Sequence, residues 1–287
     1  MKTTIKTKNS TNFQKVDREK ILAFPSLINI KGETVLDNKN KAEALNSQYQ
    51  SVFTKENTHF FPTPRQPASP VMPNIIFTQA GIAKLLHKLN PQKANGPDEI
   101  PISFLQNYST EISKFLVIIF QKSYDSGKLP NDWLTANIAP VFKKGNKNLP
   151  SNYRPVSLTA VTCKIMEHIV HSHIIQHCNK HNIITDTQHG FRTKHSCESQ
   201  LIITTEEIQR SVDQKKQVDI IILDFSKAFD TVAHKRLLIK LKHYGIQSNT
   251  HNWINTWIKT RTQKVVIDGD CSSPANVTTC VPHEFSF

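Results

Sequence analysis

Two acidic residues and an aromatic residue follow an aliphatic run of the chain, at a spacing that suits metal chemistry. Ile220 to Leu223 are four consecutive bulky aliphatic residues, followed directly by Asp224 and then by Phe229 and Asp230. A run of this length is too short for a buried helix and predicts a central strand covered on both faces. Asp224 would then project from the carboxyl end of that strand on a rigid backbone, where a carboxylate suits a hard cation such as Mg²⁺.

An ordinary structural role is the alternative interpretation of the same segment. A strand that ends in aspartate, with a second aspartate as the N-cap of the next helix, is common in α/β domains. Thr231 to Leu241 is predicted to be that helix, so Asp230 is interpreted as its cap. The motif alone leaves both interpretations open.

A second group of residues with phosphate chemistry lies between Leu129 and Leu158. Asn137 to Phe142 alternates as a strand, Lys143 and Lys144 begin a basic turn, and Arg154 follows in a second extended segment. A lysine supplies a point charge and an arginine a bidentate fork, so the predicted hairpin is suited to bind a triphosphate. An exposed hairpin with ordinary surface charges is the alternative.

The charge of the chain indicates a polyanionic partner. Lysine and arginine total 36 against 23 for aspartate and glutamate, a net charge of +13 over 287 residues. Residues 231–264 carry seven basic residues and no acidic residue. Such uneven charge is typical of nucleic-acid binding, with a solvated basic surface as the alternative. The contacts predicted from this segment are Lys235, Arg236, Lys240, Lys242, Arg261 and Lys264.

The cysteines predict free thiols rather than a metal site. All five are scattered and outside any Cys-x-x-Cys spacing, which favours a reducing compartment. Zinc is a weaker alternative, carried by Cys178 with His181 and by His195 with Cys197, because the first pair straddles a predicted helix end. The N-terminus lacks the apolar core of a signal peptide, and the longest apolar run, six residues, is too short to cross a membrane.

The predicted organisation is an N-terminal linker, residues 1–77, followed by one large domain, residues 78–287. Asn40 to Phe53 has apolar residues at helical spacing and is predicted to be a docking helix. Five prolines between Pro62 and Pro73 predict a semi-rigid linker. Further helices are predicted from Thr78, over Ile112 to Tyr124, over Lys164 to Asn179, and around Trp253 and Trp257, whose spacing places both indoles in the core.

Several motifs, in order, resemble those of non-LTR (LINE, jockey-like) retrotransposon reverse transcriptases over about Leu27 to Pro282. Asp-x-x-x-Ala-Phe-Asp at 224–230 resembles the first palm motif. Pro-x-Phe-Lys-Lys-Gly, followed by Asn-Tyr-Arg-Pro-Val-Ser-Leu, resembles the fingers hairpin, and Lys-Ala-x-Gly-Pro-Asp-x-Ile-Pro at 93–101 resembles the opening loop. The resemblance implies an α+β fold of right-hand polymerase fingers and a partial palm, with an antiparallel palm sheet and packed helices, preceded by the helical and Pro-rich linker.

The resemblance also implies RNA-directed DNA polymerase activity, with an RNA template, a DNA primer and deoxynucleoside triphosphates as partners. Polymerases use two Mg²⁺ ions about 3.5 to 4 Å apart, one activating the primer 3′-hydroxyl and one holding the triphosphate. Asp224 and the backbone carbonyl of Phe225 would be metal ligands, and Phe229 would lie under the sugar and exclude a 2′-hydroxyl. The implied nucleotide phosphate contacts are Lys143, Lys144 and Arg154. The implied template or primer contact is Arg192, in Gln-His-Gly-Phe-Arg.

The last residues of the sequence depart from the family pattern. Where the family has Gly-Val-Pro-Gln-Gly-Ser, Val281 and Pro282 fit, but Cys280, His283 and Glu284 do not. The Tyr-x-Asp-Asp hairpin that supplies the other carboxylates does not occur, so the two-metal site is expected to be incomplete. The sequence is therefore interpreted as a truncated polymerase with little activity alone. The resemblance implies an intracellular protein of the nucleus and cytoplasm. A non-catalytic nucleic-acid-binding remnant and a poorly folding gene fragment are the alternatives.

Overall fold

The computed structural model describes residues 24–54, 56, 61 and 69–279 as a mixed α+β fold, which confirms the α+β class. The helices are α1 (Asn38–Gln50), α2 (Gln79–His87), α3 (Ile102–Asn107), α4 (Ser109–Ser126), α5 (Asn131–Leu134), α6 (Val161–Lys180), α7 (Cys197–Asp213), α8 (His234–His243) and α9 (Ser248–Lys259). The strands are β1 (Leu27–Ile28), β2 (Thr34–Val35), β3 (Thr135–Phe142), β4 (Tyr153–Leu158), β5 (Thr262–Ile267), β6 (Asp270–Cys271) and β7 (Ala275–Asn276). No helix in this described part is long and apolar enough to cross a membrane. Most of the predicted proline-rich linker, residues 62–68, lies outside the described residues.

β3 is the centre of the main sheet. β4 pairs antiparallel with one edge of β3, with Arg154 opposite Val141, and β5 pairs parallel with the other edge, with Thr262 opposite Thr135. The prediction of an antiparallel sheet is therefore wrong, because the sheet is mixed. The physical reason is that β4 runs back along β3 and ends opposite Asn137, near the start of β3. The helical connection that follows leaves and re-enters the sheet at this same end, so β5 runs parallel to β3.

One face of this sheet is covered by α1 and β1. α1 begins after Asp37, whose carboxylate accepts a hydrogen bond from the Asn40 N–H (2.9 Å), and the predicted docking helix is confirmed. The core beneath it joins the helix, β1 and alternate residues of β3 and β5, and consists of Leu27, Ala42, Leu45, Tyr49, Ala136, Ile138, Tyr153, Val265 and Ile267. Alternation is expected for strands that turn one face to a helix. The N-terminal residues 24–50 are thus part of a core.

A larger core lies among α2, α4, α6 and α9. Trp253 and Trp257 are buried in it with stacked indoles, ring centroids 6.0 Å apart, as their spacing predicts. Each indole N–H has a buried acceptor, Ser123 Oγ at 3.2 Å and Glu167 Oε1 at 2.7 Å. These acceptors matter because a buried donor without a partner costs about 1–3 kcal/mol. Along the apolar face of α6, five residues are buried or partly buried against this core: Ile165, Met166, Ile169, Val170 and Ile174. Cys178, near the end of the same helix, is also buried.

Residues 69–77 pack against both α4 and the junction between α8 and α9. Ile75 is buried, and its N–H donates to the hydroxyl of Tyr124 in α4 (3.1 Å). The N–H of Met72 donates to the carbonyl oxygen of Gly245 (2.9 Å). This stretch is therefore held by backbone hydrogen bonds on one side and by the core on the other.

The aliphatic run Ile220–Leu223 is neither a strand nor buried. Residues 216–225 contain no helix or strand, and the side chain of Ile222 is 88 % exposed. The prediction from the apolar pattern is wrong because a strand also needs a partner with available N–H and C=O groups, and no described strand pairs with this run. Both edges of the central strand β3 are taken by β4 and β5. The sheet therefore gives the segment that carries Asp224 no rigid support.

We expect Gly245→Ala to destabilise the fold strongly. Gly245 has a φ of +82°, and a Cβ there would collide with the carbonyl oxygen of Pro70. The positive φ and the forced backbone shift together should lower the free energy of unfolding by about 2 kcal/mol or more, measured by urea denaturation. Gly269→Ala is the matched control, because Gly269 has a φ of +92° and no atom within 4 Å of the added Cβ. Equal losses for the two variants would contradict the packing of residues 69–77.

A second pair of variants tests the exposure of the aliphatic run. Ile222→Ala should change the free energy of unfolding by less than about 0.5 kcal/mol, because its side chain is already in solvent. Ile138→Ala removes the same atoms from a site that is 2 % exposed. It should cost about 2–5 kcal/mol. A similar loss at both positions in the same denaturation experiment would show that the run is buried in solution.

Candidate nucleotide and nucleic-acid site

The hairpin formed by β3 and β4 carries the predicted phosphate ligands. Lys143 and Lys144 lie in the exposed turn directly after β3, and Arg154 is exposed on β4, opposite Val141. The N–H of Lys143 donates to the carbonyl oxygen of Asn152 (2.9 Å), which closes the turn. Neither lysine forms an ion pair with the described residues. The structure thus brings these three basic residues to one end of one hairpin.

Glycine and asparagine build the turn of this hairpin. Gly145 has a φ of +91°, and a Cβ added there would lie 2.9 Å from the side-chain nitrogen of Asn152. That nitrogen donates to the carbonyl oxygen of Asn146 (2.9 Å), whose side chain accepts from the N–H of Asn148 (2.9 Å). The basic motif indicates the lysines of this turn but not these asparagines. The available signal was the Gly-Asn-x-Asn composition, which is typical of turns.

Asp224 and Phe225, the predicted metal ligands, lie in the exposed segment after the aliphatic run. The side chain of Phe225 is 84 % exposed, and Asp224 is exposed. Among the described residues, no group of three or more His, Cys, Asp or Glu side chains is placed to hold a metal ion, and this holds for the zinc alternative as well. The described residues therefore do not assemble the donor set that a two-metal polymerase site requires.

Phe229 and Asp230 follow in a turn before α8. The Phe229 ring lies edge-on to the ring of Phe191, with ring centroids 5.8 Å apart. α8 begins only at His234, so the prediction that Asp230 caps this helix is wrong. The carboxylate of Glu56 accepts hydrogen bonds from two N–H groups of the first turn of α8, at 3.2 and 3.3 Å. An acid is favourable there because the N-terminus of a helix carries partial positive charge.

Basic residues predicted to contact nucleic acid are spread along α8. Lys235, Lys240 and Lys242 are exposed. Arg236 is partly exposed, and its guanidinium lies 3.7 Å from the Glu56 carboxylate. Three positive charges on this helix therefore face solvent, while the fourth is partly neutralised by an acidic neighbour.

The other predicted nucleic-acid contacts lie in different environments. Arg192 pairs with Asp186 (3.6 Å) and donates to a carbonyl oxygen of its own loop (2.8 Å), so it stabilises that loop. Arg261 is 5 % exposed, and its guanidinium lies over the ring of Trp257, 5.2 Å from the centroid. Lys264 is partly exposed on β5. Burial removes Arg261 from any surface that a nucleic acid could reach.

A small cavity of about 80 Å³ lies between α1 and the sheet. Tyr49, Ser157 and Asp230 are among its lining residues. The Tyr49 hydroxyl is buried without a hydrogen-bond partner among the described residues, and burial raises its pKa above the ordinary value. Since a water molecule takes about 30 Å³ of liquid volume, the cavity suits a few waters rather than a nucleotide.

Comparison with known proteins finds relatives among retrotransposon polymerases. The chain is 28 % identical over 248 residues to the "RNA-directed DNA polymerase from mobile element jockey" of Drosophila funebris, covering 86 % of this chain and 26 % of that protein. It is 27 % identical over 210 residues to the "Probable RNA-directed DNA polymerase from transposon BS" of Drosophila melanogaster, covering 71 % of this chain and 22 % of that protein. The chain thus spans about a quarter of the length of these relatives.

A family match covers the lysine turn, β4 and the segment with the acidic residues. Residues 141–283 match the family described as "Reverse transcriptase (RNA-dependent DNA polymerase)". This range contains the lysine turn, Arg154, Asp224 and Phe229, the residues on which the motif resemblance depends. The chain therefore belongs, through residues 141–283, to the reverse transcriptase (RNA-dependent DNA polymerase) family and is related to the polymerases of non-LTR retrotransposons.

Proposed function

We propose that this chain is the fingers and first part of the palm of a non-LTR retrotransposon RNA-directed DNA polymerase. The observation that carries the proposal is the β3–β4 hairpin, which enters the family match at Val141 and brings Lys143, Lys144 and Arg154 together. Its ligands would be the phosphates of an incoming deoxynucleoside triphosphate, and its macromolecular partners an RNA template and a DNA primer. The division into a linker, residues 1–77, and a polymerase domain, residues 78–287, is part of this proposal.

Phosphate binding at the hairpin is supported by the chemistry of its side chains. Lys143 and Lys144 supply point charges to phosphate oxygens, and Arg154 supplies a planar fork that matches two oxygens at once. All three are exposed. An incoming phosphate would therefore not have to break a buried ion pair to reach them.

Nucleic-acid binding by α8 is supported by its exposed charges. Lys235, Lys240 and Lys242 face solvent, and phosphate contacts of this kind supply most of the affinity of non-specific binding. A non-catalytic nucleic-acid-binding role is the second candidate function, favoured by these exposed lysines together with the exposed position of Asp224.

Catalysis would need a cluster of metal-binding carboxylates, which the described residues do not form. Asp224 and the carbonyl oxygen of Phe225 would be the Mg²⁺ ligands of the whole polymerase, and Phe229 would lie against the nucleotide sugar. The ion would supply the charge that holds the triphosphate and activates the primer hydroxyl. Because the described residues hold no donor cluster at Asp224, we propose that this chain alone polymerises little.

RNA binding should depend on salt through the lysines of α8. The variant Lys235→Ala/Lys240→Ala/Lys242→Ala should lower the slope of log affinity against log salt by about two units, since each lost contact to single-stranded RNA removes about 0.7. Fluorescence anisotropy with a labelled single-stranded RNA measures this slope. The charge-matched control replaces three exposed lysines on and after α2, namely Lys84, Lys88 and Lys93. Equal slope changes in the two variants would show that binding follows net charge rather than α8.

Template-primed extension tests the catalytic part of the proposal. With an RNA template, a DNA primer, Mg²⁺ and deoxynucleotides, we expect the chain to give little product, and Asp224→Ala to leave this background unchanged. The expectation rests on the exposed Asp224 and the missing donor cluster among the described residues. Robust synthesis that Asp224→Ala abolishes would overturn it and would show that the chain builds a complete metal site.

A further inference from the structure

The N-terminal residues 24–28 are hydrogen-bonded to the turn that carries the lysines. The side-chain nitrogen of Asn148 donates to the carbonyl oxygen of Ser26 (2.7 Å) and to its hydroxyl (2.9 Å). The carbonyl oxygen of Asn148 accepts from the N–H of Ile28 (2.8 Å). Asn148 and Ser26 are 122 residues apart in sequence, so these contacts are purely tertiary.

This N-terminal segment is itself anchored in the core. Leu27 is fully buried beneath α1. The ammonium group of Lys41 in α1 donates to the carbonyl oxygen of Phe24 (2.7 Å). The Phe24 ring packs on the ring of Tyr153, the first residue of β4, with centroids 5.2 Å apart. The turn is thus tied to a segment held by α1 on one side and by β4 on the other.

Two further hydrogen bonds hold the turn from within. The N–H of Asn148 donates to the side-chain oxygen of Asn146 (2.9 Å), and the hydroxyl of Tyr153 donates to the carbonyl oxygen of Lys147 (2.7 Å). The backbone of the turn is therefore bonded through its second half, next to the exposed Lys143 and Lys144.

We infer that Asn148 is a positioning residue that holds the turn in place for phosphate binding by Lys143 and Lys144, with residues 24–28 as its support. The inference rests on the proposed function and adds the N-terminal segment to the nucleotide site. The physical reason is preorganisation: a turn that is already ordered loses less conformational freedom when its lysines engage phosphates. Asn148 itself touches no ligand in this arrangement.

A double-mutant cycle on the full chain tests this role, with inorganic tripolyphosphate as the probe and isothermal titration calorimetry as the measurement. Asn148→Ala should weaken binding about fivefold, and Lys143→Ala/Lys144→Ala about tenfold or more. In the background without the two lysines, Asn148→Ala should have no further effect, because the residue acts through them. A merely structural loss would instead weaken binding equally in both backgrounds.

Two controls keep the test decisive. Asn249→Ala removes another asparagine whose side chain donates one hydrogen bond, to Asp125 (3.2 Å), and should bind the probe as the wild-type chain does. Ser26→Ala removes only the hydroxyl that accepts a hydrogen bond from Asn148, and it should weaken binding about twofold, again only when the two lysines are present. This variant replaces Asn148→Ala in the test if Asn148→Ala does not fold.

The outcomes separate the inference from the proposed function. If the lysine variant loses affinity but Asn148→Ala and Ser26→Ala bind like wild type, the positioning role is overturned while phosphate binding at the hairpin stands. The same holds if Asn148→Ala weakens binding equally with and without the lysines. If the lysine variant binds like the wild-type chain, or the wild-type chain does not bind tripolyphosphate, phosphate binding at the hairpin fails and the positioning role fails with it.

Discussion

The position of the hairpin follows from the pairing of β3 along both of its edges. β4 occupies one edge and β5 the other, while Ala136 and Ile138 are buried beneath α1. A shift of one residue in this pairing would turn the buried face of β3 towards solvent, so burial fixes the register. The register in turn places Arg154 opposite Val141, in the next-to-last pair of the β3–β4 ladder before the lysine turn. Arg154 and the turn that carries the two lysines therefore depend on hydrophobic contacts made on the opposite face of β3.

A buried carboxylate connects the helices that precede β5. Glu167 Oε1 accepts hydrogen bonds from the Trp257 indole (2.7 Å) and from the thiol of Cys163 (3.1 Å). Burial, together with the adjacent Glu167, raises the pKa of the Cys163 thiol, so the thiol stays protonated and can donate. Arg261 stacks on the same indole at the start of β5. The strand beside β3 is thus attached to α6 and α9 through polar groups that solvent does not reach.

The segment between α6 and α8 is much less buried than the sheet. α7 buries none of its side chains, and the aliphatic run beyond it is exposed along its whole length. Asp224 belongs to this segment, whereas the lysine turn belongs to the sheet. The proposed phosphate ligands and the proposed metal ligand are therefore supported unequally by the fold. The hairpin is held by paired strands and core packing, whereas Asp224 lies in an exposed stretch without helix or strand.

The sequence by itself determined the local features of this protein. The docking helix, the apolar face of α6, the buried tryptophans and the β3–β4 hairpin all follow from periodicity and turn composition, which act within a few residues. Only the tertiary structure decided which strand lies beside β3, that Ile220–Leu223 has no partner, that Arg261 is interior, and that Asn148 binds Ser26. Each of these depends on groups far apart in the chain, and a pattern of apolar residues records the tendency to be buried but not the partner that buries them.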